Sequence, residues 1–144
     1  MISNKQKIGF AVICASLICP MAFADSLYQR LGGEKGVAQF VDQTVELSAV
    51  DPLTRRTFDK VDLKKLKQKV AEQICALADE PCKYTGDSMK LVHQGMDLTE
   101  AEFCGFVEIL RGTLNRAEVS EGAKNELLRI LAPMKREIVP AGSK

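Results

Sequence analysis

The sequence has one histidine and no tryptophan, and its aromatic side chains among 144 residues are six phenylalanines and two tyrosines. Any chemistry that needs an imidazole therefore falls on one position, His93. Charge of one sign is also missing. Twenty basic residues stand against 19 acidic ones, a formal net charge of +1, so there is no cationic excess to grip a phosphate backbone and no nucleic-acid partner is expected. Period-two alternation is absent and β-branched or aromatic clusters are few, which argues for an all-α chain. The sequence contains no repeat or low-complexity segment and its linkers are short, as one compact domain requires. The one long uncharged run, Ile8 to Cys19, is shorter than the roughly 20 residues that span a bilayer.

That run is preceded by Lys5 and Lys7 and followed by Ala22-Phe23-Ala24, a small-x-small cleavage signal. Residues 1–24 are read as a signal peptide, and cleavage near Ala24 is expected to release a periplasmic or secreted chain with no membrane association. The competing reading, an uncleaved amphipathic anchor, lacks the polar face it needs. Neither Cys14 nor Cys19 follows the small residue that a lipoprotein signal requires, so no lipid attachment is expected. Loss of two lysines and no acid moves the formal charge from +1 to −1. Residues 25–139 form the expected domain, and residues 140–144, Pro-Ala-Gly-Ser-Lys, a flexible tail.

Ser26 to Leu31 predicts a short opening helix stopped by Gly32-Gly33. Val37, Phe40, Val41, Thr44, Val45 and Ser48 then give a second helix an inward stripe. Asp51-Pro52 pairs an N-cap with proline at the first helical position and opens a brief turn ending near Phe58. Asp62 caps a helix in which Leu63, Leu66, Val70, Ile74 and Leu77 keep three-and-four spacing, with Lys64, Lys65, Lys67 and Gln68 on a solvated face. Thr99-Glu100-Ala101-Glu102 is a capping box before Phe103, Phe106, Val107, Leu110 and Leu114, which predict a continuous buried stripe. A last helix is expected from about Glu121 to Ile138.

Between these helices lies the stretch from Tyr84 to Gly95 that holds His93. A histidine with apolar flanks is ordinarily a packing residue, so the reading depends on its neighbours. Asp87 or Ser88 can cap a short helix on which Met89, Val92 and His93 share a face, and Gly95 is placed to end it. The imidazole then projects from an apolar ledge beside a helix end. Two long helix pairs with such a ledge between them leave room for a flat ligand in the core.

The order Leu31-Gly32-Gly33, Phe58, Tyr84-Thr85-Gly86, Met89 and Val92-His93-Gln94-Gly95 resembles the group I truncated haemoglobins over nearly all of the chain after residue 24. The resemblance implies a truncated globin-like, two-over-two helical sandwich over residues 25–139, built around haem b. It implies His93 as the proximal iron ligand, Phe58 packed against the porphyrin, and Val45, Leu66, Val70, Tyr84 and Met89 as further haem contacts. Attachment is expected to be non-covalent, because the sequence has no Cys-x-x-Cys-His. One neutral imidazole leaves the opposite face of the iron for dioxygen, nitric oxide or carbon monoxide, with an unidentified reductase keeping the iron ferrous. Family members commonly place a tyrosine in the second helix and a glutamine on the facing one as donors to the ligand. The matching positions here are Val45 and Val70, which cannot donate, and Leu66 completes an apolar wall. A polar ligand then gains little unless Thr44, Gln73 or water substitutes. Lys69 has two competing roles, an ammonium paired with a haem propionate or a neutral amine in the sixth iron position. Neutralising a lysine at pH 7 costs about 4.6 kcal/mol, which favours the propionate.

A second departure from the family is Asp79-Glu80-Pro81, where a glycine pair usually precedes the proline. Cys75 and Cys82 would be about 10.5 Å apart along a continuous helix, beyond the roughly 7 Å limit for a bridge. A disulfide therefore requires the helix to end between them, as Pro81 suggests, and in an exported protein it is favoured over two buried thiols. Cys104 flanks an apolar stripe and is read as a packed free thiol. Three functions stay open. The favoured one is a haem protein that reversibly binds a diatomic ligand. The second, suggested by the resemblance, is an enzyme oxidising nitric oxide to nitrate with dioxygen. The third is a haem-free module holding zinc on Cys75, Cys82, His93 and Cys104, without the usual Cys-x-x-Cys knuckle.

Overall fold

Most helices begin where a short polar side chain can take up an orphan amide. Ser26, Asp62, Ser88, Thr99 and Ser120 each accept a hydrogen bond from the backbone N–H three residues on. The computed structural model describes residues 25–78 and 80–143; the expected signal segment, Asp79 and the final Lys144 lie outside them. The helices are α1 (Leu27–Arg30), α2 (Gly33–Val50), α3 (Leu63–Leu77), α4 (Met89–Val92), α5 (Glu100–Arg116), α6 (Glu121–Leu131) and α7 (Lys135–Ile138). Single turns of 3-10 helix occupy Arg55–Phe58 and Ala132–Met134, and no strand occurs among the described residues.

The turn from α1 to α2 is closed by glycines. Gly32 has φ +95°, and a Cβ there would stand 2.9 Å from the Cα of Gly36. A Cβ on Gly36 would in turn stand 2.8 Å from the carbonyl oxygen of Leu31. Only two bare Cα positions let the chains approach this closely.

Helix α2 packs against both α3 and α5, and every residue of its expected stripe, from Val37 to Ser48, is buried. Helices α2 and α5 run antiparallel. Thr44 Oγ1 lies 2.6 Å from Thr113 Oγ1, and Leu53 and Thr54, beyond the end of α2, close on Gly105. Each threonine can also donate to its own helix, Thr44 to the Phe40 carbonyl at 2.7 Å and Thr113 to that of Leu110 at 2.8 Å. Since each hydroxyl has one proton, one bonds across the interface while the other bonds back. Helix α1 rests on α6, and α4 on α7.

Several expectations need correction. The last helix is interrupted at Pro133, which has no N–H to donate and crowds the preceding turn, so α6 ends at Leu131 and α7 starts at Lys135. The α5 stripe is buried only at Leu110 and Leu114, while Phe103, Phe106 and Val107 stay half-buried. On α3 only Ile74 and Cys75 are buried. Lys67 does not belong to a solvated face, because its ammonium reaches back to Asp42, at 2.6 Å, and to Glu46 on α2. Cys104 is free but exposed rather than packed.

The corner below the 3-10 turn is held by charge. Arg56 grips Glu102 in a fork, Nε and Nη2 each 2.7 Å from a carboxylate oxygen, and also donates to the carbonyls of Met96 and Asp97. Glu102 simultaneously accepts from the Thr99 amide and hydroxyl, completing the capping box. The Arg56 bonds first, then those from Thr99, pull its carboxyl from the ordinary 4.5 down to about 2. Such a group stabilises the fold above its unfolded pKa, and the contribution is lost as pH falls from about 4.5 towards 2. Glu102→Gln is expected to cost about 1–3 kcal/mol at pH 7 and to flatten the stability profile across that window; urea titrations at several pH values check this. Cys75 and Cys82 are joined, with Cα atoms 5.8 Å apart. Peptide mapping without reductant should find that pair linked and Cys104 alkylated, and Cys75→Ser with Cys82→Ser should lower stability by about 2–3 kcal/mol.

Candidate functional site

The residues that periodicity marked as apolar but that the fold leaves half-buried lie on neighbouring elements. Phe58, Leu63, Leu66 and Val70 pack against the edge of the core without being enclosed by it. Phe58 stacks on Phe106 of α5, ring centroids 6.3 Å apart and planes 24° from parallel. Val45, on α2, is 1% exposed. These half-buried apolar side chains, packed against a core that includes Val45, are the candidate crevice wall.

His93 lies at the end of α4, the short helix that packs on α7. Ser88 caps the helix and His93 ends it, so the ring stands over the turn before it. Its Nδ1 lies 2.8 Å from the carbonyl oxygen of Met89. A carbonyl can only accept, so Nδ1 carries the proton and donates. Nε2 is then the nitrogen with the bare lone pair, and it has no hydrogen-bond partner among the described residues. A neutral imidazole fixed through one nitrogen is the form that ligates metals through the other. Gly95, at φ +78°, turns the chain away after His93. The expected ledge is narrower than the spacing suggested: Met89 and His93 are half-buried, but Leu91 and Val92 are exposed.

The Tyr84-Thr85-Gly86 turn sets the approach to α4. The Tyr84 hydroxyl donates to the Asp87 carbonyl at 3.0 Å, folding its ring over Gly86, where any Cβ would collide with it. A side chain at residue 86 would therefore push the Tyr84 ring out of this place. The Cys75–Cys82 bridge ties the start of this segment to the end of α3.

The Lys69 ammonium is engaged by the protein's own side chains. Its ammonium donates to Glu72, at 2.9 Å, and to Thr85; Thr85 donates to the same Glu72 oxygen at 2.7 Å, and Gln68 to the other at 3.0 Å. These bonds, Lys69 foremost, hold the Glu72 carboxyl at about 2. The Lys69–Glu72 part was legible as an i, i+3 pair, but Thr85 was not, being 16 residues away. Of the two donors that could substitute beside Val45 and Val70, Thr44 is committed to α5 and its own helix. Gln73 directs Nε2 at two thioethers, 3.4 Å from Met89 Sδ and 3.8 Å from Met134 Sδ.

The zinc reading is overturned by the same geometry. Cys75 and Cys82 are spent on each other and Cys104 lies exposed on α5. No group of three or more His, Cys, Asp or Glu suited to a metal ion occurs among the described residues.

Residues 26–139 match the family model of the bacterial-like globins. The group 1 truncated hemoglobin GlbN of Mycolicibacterium paratuberculosis is 31% identical over 113 residues, covering 78% of this chain and 83% of the relative. The crystal structure of the truncated hemoglobin from Tetrahymena pyriformis in its Fe(III) form superimposes with a TM-score of 0.76 at 23% identity, over 80% of this chain and 98% of that one. The 2/2 hemoglobin of Synechococcus sp., solved in the cyanomet state with covalently attached heme, gives a TM-score of 0.74 at 26% identity, over 80% and 98%. A described chain without strands, a glycine-closed α1–α2 turn and a Tyr-Thr-Gly segment leading to a lone histidine on a short helix agree with these matches, and the chain belongs to the bacterial-like globins as a group I truncated haemoglobin with the two-over-two helical fold.

Proposed function

We propose that the protein holds haem b non-covalently, with Nε2 of His93 as the protein's ligand to iron, and binds a diatomic gas reversibly. The observation that carries this reading is the Nδ1 bond to Met89, which leaves the one imidazole of the chain with a bare, oriented Nε2. The half-buried apolar wall of Phe58, Leu66 and Val70 has the chemistry to take a flat hydrophobic ring. Haem held there would supply an iron able to take dioxygen, nitric oxide or carbon monoxide.

The chain's own residues then do three things. Met89 orients His93 through its carbonyl. Phe58, Leu66, Val70 and Phe106 exclude water from the crevice. Val45 and Val70 confront the ligand with hydrocarbon only, so discrimination rests on access and size rather than on hydrogen bonding. Oxidation of nitric oxide draws on polar donors beside the ligand, and with Thr44 engaged elsewhere no observation favours that reading over reversible binding. An electron donor, a reductase still to be identified, is proposed to keep the iron ferrous. Location outside the cytoplasm, after removal of residues 1–24, is proposed from the leader pattern and accords with the Cys75–Cys82 bridge.

His93→Ala should abolish haem retention or leave a site that only added imidazole restores; full haem stoichiometry with an unchanged optical spectrum would refute the assignment. Val45→Tyr with Val70→Gln should slow dioxygen dissociation by about tenfold or more, since one hydrogen bond to a partly charged ligand is worth about 1.5–3 kcal/mol. Flash photolysis or stopped-flow displacement measures it, and equal rates would show that another donor already serves the ligand.

A further inference from the structure

We propose that Glu72 and Thr85 are positioning residues that hold Lys69 outside the crevice and so keep the place opposite His93 open to external ligands. The inference rests on His93 being the iron ligand. Lys69 follows Leu66 by three residues and precedes Gln73 by four, so its stem leaves α3 on the side where those two residues sit. Next to it, Val70 and Leu66 belong to the crevice wall. A four-carbon stem from that phase of the helix is long enough to turn inward, and among Val45, Leu66 and Val70 an amine would be the one nitrogen donor on that side. The structure turns it to the rim instead.

What holds it there is a closed ring of three hydrogen bonds. Lys69 donates to Thr85 and to Glu72, and Thr85 donates to Glu72. A lysine used in this way is an ammonium, with three N–H groups and no lone pair to offer a metal. The acceptors are themselves fixed. Gln68 braces the second oxygen of Glu72. Thr85 stands between the Cys82 bridge and the turn that Tyr84 makes onto Asp87. The ring also ties α3 to the segment that leads into α4. Glu72 and Thr85 thereby set the number of protein ligands to iron at one.

The test compares optical and electron paramagnetic resonance spectra of the ferric haem-loaded protein at pH 7 for wild type, Glu72→Ala with Thr85→Val, and the same pair with Lys69→Met. Wild type should be high-spin, the double variant should gain a low-spin nitrogen-ligated form, and the triple variant should lose it again. Azide association should slow at least tenfold in the double variant and recover in the triple. In the haem-free chain, amide exchange over residues 84–88 should quicken in the double variant. A double variant that stays high-spin overturns the proposal, as does a low-spin form that survives Lys69→Met. A wild type that is low-spin through Lys69 overturns it also. Failure of wild type to take up haem is read separately, from haem stoichiometry, and removes the underlying assignment together with this one.

Discussion

Burial of α2 on two sides is the constraint from which the remaining structure follows. A helix packed against both α3 and α5 has little place for polar groups, and its stripe from Val37 to Ser48 is hydrocarbon apart from Thr44 and Ser48. Thr44 is tolerated because it bonds to Thr113 and to its own helix; Ser48 Oγ is the buried side-chain atom left without a partner among the described residues. Val45 therefore occupies a place with almost no exposure, where the identity of one side chain decides core packing. On the proposed haem reading stability and ligand chemistry would be coupled at that residue, since a larger side chain must find volume outside the core or strain it.

The elements that carry the site are comparatively short and locally stabilised. Helix α4 has four residues and none is buried, so packing contributes little to holding it. Its position comes from the Ser88 cap, the Tyr84 turn over Gly86, the disulfide, and its contact with α7. On the other side, the Arg56–Glu102 fork fixes the 3-10 turn that bears Phe58. Charged and covalent ties thus stand in for hydrophobic burial at the places where the chain must leave an apolar surface uncovered by its own side chains.

How much was legible in the sequence divides along the same line. Caps and stripes were legible, because Ser88, Asp62 and Thr99 act on amides three residues away and α2 buries one continuous face. The half-burial of Phe103, Phe106 and Val107 was not, because three-and-four spacing is the same whether a face meets another helix or a crevice. The Pro133 break was visible as a residue type but was overridden in the reading by the apolar spacing around it. Glu102 was seen as half of a capping box, and its second partner, Arg56, is 46 residues distant. Lys67 and Thr85 were missed for the same reason: their partners come from other elements, and only the fold brings them together.

The polar groups around the crevice show a common pattern that bears on selectivity. Thr44, Tyr84, Lys69, Glu72 and Thr85 each have a defined partner, and Gln73 faces two weak sulfur acceptors. His93 divides its ring, one nitrogen committed to Met89 and the other bare. A wall whose donors are already engaged stabilises a bound dipole poorly, because a donor that turned to the ligand would have to give up an existing bond first. On the proposed haem reading, such a wall would disfavour dioxygen, whose complex with iron is strongly polarised, relative to carbon monoxide. The commitment of these polar side chains, as much as the valines at 45 and 70, is what would make a ligand site on this wall apolar.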